Sequence, residues 1–163
     1  MDEHEVEYTE AITRRESGQA ETVSANRGWW DREASDYLTE HGSFLGDADL
    51  VWGPEGWSED DLHVLGDPAE LASRRVLEFG GGGAQGARWC AARGATVVST
   101  DLSGGMLATA RLLDARTPGP APALAQADAT RLPFADACFD VVFSAYGATP
   151  FVADSAGLML ELA

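Results

Sequence analysis

Three carboxylates and a run of glycines carry the chemistry this sequence can do. The apolar segment RVLEF, residues 75–79, holds Glu78 and runs straight into GGGGAQG, residues 80–86. A second apolar segment, ATVVST, then leads into Asp101, 21 residues after Gly80. Glycines at a strand-to-helix turn let backbone N–H groups approach a ligand with no Cβ in the way. An acid closing the next strand can accept both hydroxyls of a ribose. Asp128 and Ser144 fall at the ends of two further apolar segments. Four polar side chains at carboxyl ends of strands outline one pocket, of the size and chemistry of an adenosine site.

The glycine loop alone reads two ways. Gly81, Gly83 and Gly86 satisfy G-x-G-x-x-G, a dinucleotide pattern. Glu78, Gly80 and Gly82 satisfy acid-x-G-x-G. A carboxylate beside the loop suits a sulfonium and an ammonium and suits a pyrophosphate badly. The downstream stretch QADATRLPFADACFDVVFSAYG, residues 126–147, then joins Glu78, the loop and Asp101 in a single pattern. Over residues 24–163 that pattern resembles the class I S-adenosylmethionine-dependent methyltransferases. The resemblance implies that Glu78, Gly80 and Gly82 border the donor, and that Asp101 holds its ribose. It implies that Leu102 and Met106 pack on the adenine, and that Asp128 with the backbone N–H of Ala129 reads the adenine edge. Leu132-Pro133-Phe134 and Phe139-Asp140 match the family's loop and fourth strand. The family's third loop glycine falls at Ala84 here, a small residue where a helix is expected to begin.

The elements that must position these groups follow from periodicity and punctuation. Strands are expected at 75–79, 95–100, 123–127 and 139–145. Between them lie helices over 84–93, stopped by Gly94, and from a Ser103 cap to Arg116. Asp114, in the last turn of the latter, is expected to be solvated. A last helix, capped by Asp154 or Ser155, is expected to be still running at Ala163. Upstream, a helix is expected over 24–42, from a Ser24 cap to Gly42. Ser58 with Asp61 forms a capping-box pattern for a short helix ending near Gly66, and Asp67-Pro68 opens another. Alternating strands and helices predict a Rossmann-like α/β fold, a parallel sheet with helices on both faces. Three regions are expected: an acidic, disordered tail (1–23), a helical cover (24–73) and the donor-binding core (74–163). By resemblance the full sheet has seven strands in the order 3-2-1-4-5-7-6. Four are recognised, so the sequence is expected to stop before the fifth, with the C-terminal strands missing and FDVVFSA left at an edge.

Charge and composition narrow the function classes. The chain has 163 residues, a net charge of −16 and no lysine. Residues 1–73 hold 19 acids against 4 arginines, and residues 74–163 hold 8 against 7. No basic face forms, so a nucleic-acid partner is not expected. No apolar run reaches the ~18 residues of a membrane span, and the acidic N-terminus lacks a secretory signal, so a cytoplasmic location without a membrane partner is expected. His4, His41 and His63 are scattered and no metal-ligand cluster is visible. Cys90 and Cys138 read as reduced packing residues. The expected cofactor is S-adenosylmethionine and the expected partner a small-molecule methyl acceptor. Oligomeric state is not readable, and neither is a catalytic base, although His41 and His63 are candidates. Trp29, Trp30, Trp52 and Trp57 fall in the cover, either against the sulfonium or as staples onto the sheet. The alternatives are an NAD(P)-binding oxidoreductase domain, or a non-catalytic S-adenosylmethionine-binding fragment.

Overall fold

Four buried or half-buried strands build one parallel sheet in the order β3-β2-β1-β4. The computed structural model describes residues 17–163. The strands are β1 (Arg75–Phe79), β2 (Thr96–Asp101), β3 (Ala123–Gln126) and β4 (Val141–Phe143). β1 is central. Its Glu78 lies in register with Ser99 of β2 and Phe143 of β4. Asp101 pairs with Gln126. Interior parallel strands are buried on both faces, and Val76, Leu77, Glu78 and Phe79 of β1 are all buried.

Alternation of side chains splits β1 between two cores. Val76 packs with Ala87, Cys90 and Ala91 of α3 (Gln85–Ala92) and with Ala110 of α4 (Gly104–Arg116). Phe79 faces the other way, onto Ala129 and Leu158 of α5 (Ser155–Glu161). Helices therefore cover both faces. The side chain of Ser103 accepts from Met106 N at 3.0 Å and caps α4, and Asp154 caps α5 through Gly157 N at 2.8 Å. The thiols of Cys90 and Cys138 are both free, and Cys90 is fully buried, its pKa pushed up to about 12 mainly by that burial.

The N-terminal half departs from its expected boundaries. Helix α1 runs Gln19–Leu45, neither capped by Ser24 nor stopped by Gly42. Gly18 precedes it in extended backbone, and Gly46, at φ +66°, ends it. Gly42 keeps helical geometry, so only the glycine with positive φ closes the helix. The expected acidic tail lies outside the described residues over 1–16, and 19–23 are helical. Helix α2 (Glu59–Leu62) is capped by Ser58 as expected and is shorter, because His63 takes the left-handed conformation right after it. A 3-10 turn over Pro68–Leu71 follows the Asp67 cap. At the other end α5 stops at Glu161, with Leu162 as its cap, rather than continuing to 163. β4 is shorter than 139–145, and Val142 is 36% exposed.

Candidate functional site

A cavity of about 600 Å³ opens at the carboxyl ends of the strands, within the usual range for small-molecule sites. Its floor gathers Glu78, Gly80, Gly82, Asp101, Leu102, Met106, Asp128 and Ala129, eight of the nine residues expected there. Ser144 is not on the wall. Its hydroxyl is buried and has no partner, and a Cβ on Gly147 would come within 2.3 Å of it. The next three residues, Ala145, Tyr146 and Gly147, do line the cavity.

The glycine loop is built around Glu78. That side chain is 3% exposed. Its Oε2 accepts from Ser99 Oγ at 2.9 Å and from Ala87 N at 3.2 Å. A Cβ on Gly81 would stand 2.6 Å from Glu78 Oε2, and one on Gly86 2.7 Å from Oε1. Those two glycines make room for a carboxylate beneath the loop, not only for a ligand above it. Gly80 and Gly82 differ: both have positive φ, and a Cβ on Gly80 would meet Ala148 N at 2.8 Å. Burial pushes the Glu78 carboxyl up to about 7, against the Ser99 hydroxyl, the Ala87 N–H and the Arg88 charge, which all favour ionisation.

Asp101 ties the loop to the second strand. Its Oδ2 accepts from Gly82 N and its Oδ1 from Ser103 N, both at 2.8 Å. Burial raises its pKa, and those two N–H bonds work the other way. Gly81 N donates to Thr100 O at 2.9 Å. Two of the loop amides thus hold the loop itself. Ala84, at φ +58°, is the residue just before α3 and is fully buried. Alanine takes there a left-handed conformation that glycine adopts more readily. Asp128 closes a tight turn, its Oδ1 accepting from Thr130 N at 2.9 Å and Thr130 Oγ1 at 2.8 Å.

Helix α1 forms the roof. Val23, Trp30, Tyr37 and Phe44, seven residues apart, lie along one face and line the cavity. Gln19 Nε2 donates to Thr130 Oγ1 at 3.1 Å, and Asn26 Nδ2 to Phe151 O at 2.6 Å. Asp31 Oδ1 accepts from Ser103 Oγ at 2.7 Å and Gly105 N at 3.0 Å. These bonds at the start of α4, the Gly105 N–H first, hold the Asp31 carboxyl below its ordinary range. Of the four tryptophans expected in the cover, only Trp30 lines the cavity. Trp52 packs edge-on against Phe143 with centroids 6.0 Å apart and donates to Glu59 at 2.7 Å, while Trp29 and Trp57 are exposed. His41 is on the wall beside Tyr37, ring centroids 4.6 Å apart, and His63 is not.

The residue that sequence reasoning missed is Arg88. It is 3% exposed on α3. It donates to Asp47 O at 2.6 Å, to Asp114 Oδ1 at 2.6 Å and to the carbonyl of Gly83 in the loop. Asp114 is therefore an ion-pair partner, 17% exposed, and not the solvated group expected. Asp47, just past α1, also receives Arg116 at 2.8 Å. Gln19 was missed too, and its Oε1 is buried without a partner. Neither could be found by spacing, since the partners lie 41 and 111 residues away.

A family described as methyltransferase domain matches residues 77–163. A demethylmenaquinone methyltransferase of Mycobacterium sp. strain KMS is 43% identical over 103 residues, which is 63% of this chain and 40% of that protein. The chain spans about 40% of the length of the curated relatives it matches first. Among solved structures, phosphoethanolamine N-methyltransferase 2 of Haemonchus contortus, bound to phosphomonomethylethanolamine and S-adenosylhomocysteine, superposes with a TM-score of 0.64 at 27% identity, over 83% of this chain and 32% of that one. The [4+2]-cyclase SpnF superposes at 0.62 with 20% identity, over 84% of this chain and 54% of that one, a likeness of fold alone. The matched segment starts inside β1 and takes in the glycine loop, Asp101 and Asp128, so the cavity floor lies within it, and the chain belongs to the methyltransferase domain family.

Proposed function

We propose that this chain binds S-adenosylmethionine on the cavity floor and directs its methyl group to a small-molecule acceptor held under α1. The observation that carries this reading is the charge of the cavity. Glu78, Asp101 and Asp128 converge there, and no arginine is among the described residues lining it. Such a wall attracts a sulfonium and an ammonium and repels a pyrophosphate. That disfavours the NAD(P) reading on grounds independent of the family match.

The bound donor supplies a methyl group already activated on sulfur, displaced in line as the sulfur leaves as a neutral thioether. The chain's part is to hold, orient and exclude water. In this reading Asp101 accepts the ribose hydroxyls with the lone pairs left by Gly82 and Ser103. Asp128 and the Ala129 N–H take the adenine edge, with the unpaired Gln19 oxygen close by through Thr130. Met106 and Leu102 pack on the ring. Residues 19–73 serve as the cover and residues 74–163 as the donor-binding core. Among the described residues no helix is long and apolar enough to cross a membrane, and none form a cluster that could hold a metal ion.

Titration calorimetry of the full chain with S-adenosylhomocysteine and with NAD tests the assignment. S-adenosylhomocysteine is expected to bind and NAD to give no heat. The reverse result would sink it.

A further inference from the structure

The wall opposite the donor floor is aromatic, and no arginine is among the described residues that form it. Trp30 meets Tyr37 edge-to-face at 5.5 Å and Phe151 at 5.7 Å. Phe44, Tyr146 and Phe151 complete the mouth and are 45%, 38% and 44% exposed. Exposed aromatic side chains gathered at the opening of a cavity mark a surface that a ligand covers. Burial raises the pKa of Tyr146, with Tyr37 and Glu55 close enough to add to it, so the two phenols share this space and stay neutral.

None of the nine described arginines lines the cavity, and four of them are held in ion pairs away from it. Arg75 pairs with Asp140, Arg88 with Asp114, Arg93 with Asp60 and Arg116 with Asp47. The chain has no lysine to take their place. Asp49 adds a further carboxylate to the wall. A phosphorylated or carboxylated acceptor would enter a negative, largely apolar chamber in which, among the described residues, no arginine and only the imidazole of His41 could receive it, so most of its desolvation would go uncompensated. A permanently cationic acceptor would have to approach the positive sulfonium of the donor. A flat, uncharged ring meets neither penalty, and the edges and faces of Trp30, Tyr37 and Phe151 suit it.

We infer that this aromatic chamber is the acceptor subsite and that it selects an uncharged, flat, apolar molecule while rejecting anions, phosphorylated ones included. The inference rests on the floor being the donor's seat. It separates this chain from its structural neighbour of Haemonchus contortus, which was solved with a phosphorylated amine bound.

Three probes of one shape test it: 2-naphthol, 2-naphthyl phosphate and 2-naphthyltrimethylammonium. Each is titrated into the full chain saturated with sinefungin, a donor analogue that keeps a positive charge where the sulfonium would sit. The neutral probe is expected to bind tightest and the phosphate at least about tenfold more weakly. Trp30→Ala, or Phe151→Ala should the first variant fold poorly, is expected to weaken 2-naphthol about tenfold and leave S-adenosylhomocysteine binding unchanged. Phe44→Arg places a cation at the mouth and is expected to strengthen the phosphate probe severalfold. The inference is overturned if the phosphate or the ammonium probe binds wild type as tightly as 2-naphthol, or if both aromatic truncations leave 2-naphthol unaffected. Binding of 2-naphthol to a chain that fails to bind S-adenosylhomocysteine would overturn the donor assignment instead.

Discussion

Binding of the donor should expel a proton from Glu78. Burial raises this carboxyl from an ordinary value of 4.5 to about 7, so in the free protein it is half ionised at neutral pH. The ammonium and sulfonium of S-adenosylmethionine favour the ionised form, and only that form attracts them. Affinity is then reduced by the factor 1 + 10^(pKa − pH), which for a pKa near 7 is about 11 at pH 6 and about 2 at pH 7. S-adenosylmethionine should therefore bind roughly fivefold more tightly at pH 7 than at pH 6. The window stops at 7 because the donor's own amino group begins to titrate above it, near ~7.7. Stability moves the opposite way. The native state holds the proton more tightly than the unfolded chain, so this group's contribution is fully present below about 4.5 and is lost as pH rises through about 7, a span worth roughly 3 kcal/mol. Calorimetry at pH 6 and 7, in two buffers of different ionisation heat, counts the protons released. Glu78→Gln should flatten the profile. A wild-type affinity that does not change with pH, or an equal slope in the variant, would refute the linkage.

Three further outcomes are expected. Arg88→Met leaves the half-buried Asp114 and the carbonyls of Asp47 and Gly83 without their donor and should cost about 2–3 kcal/mol in urea unfolding, part of it recovered in Arg88→Met/Asp114→Leu; a loss under about 1 kcal/mol would contradict the role given to Arg88. Asp101→Asn should weaken S-adenosylhomocysteine by about 1.5–3 kcal/mol in calorimetry, whereas Asp36→Ala, on the exposed side of α1, should leave it unchanged. Asp31→Ala removes the acceptor for Gly105 N and Ser103 Oγ and should cost about 1 kcal/mol at neutral pH. Because the native Asp31 carboxyl is held low, that difference is present above its unfolded value and should shrink as pH falls through the native one, which urea unfolding in a series of buffers from pH 7 downward will show.

The core strands were legible because each is a short apolar run closed by an acid or a turn, and such runs have few other structures open to them. Glu78 and Asp101 were legible for the same reason: their positions are fixed by the strands that end in them. Helix α1 was misjudged at both ends. Its apolar residues recur every seven positions to line a cavity, so the stripe is thinner than one facing a packed core, and polar residues fill the rest. Gly42 looks like a terminator in sequence, and only backbone angles tell it from Gly46. β4 was read too long because Phe139 and Ala145 extend the apolar VVF run on either side, yet Val142 lies on the open edge of the described sheet. Arg88 and Gln19 were illegible because what matters about them is a long-range partner, and no local pattern encodes it.

The carboxylate beneath the glycine loop also constrains the order in which this site can evolve. An alanine at 81 would drive its Cβ to 2.1 Å from Ser99 Oγ as well as into Glu78, and one at 86 would also press Leu50 and Phe143, at 2.9 and 3.1 Å. Glu78, Ser99, Gly81 and Gly86 are therefore one epistatic unit. A lineage that shortens the acid first opens space in which both glycines can drift; one that changes a glycine first meets the collision at once. Pairwise mutational scanning should find the glycine-to-alanine changes tolerated mainly in backgrounds where 78 and 99 are already small.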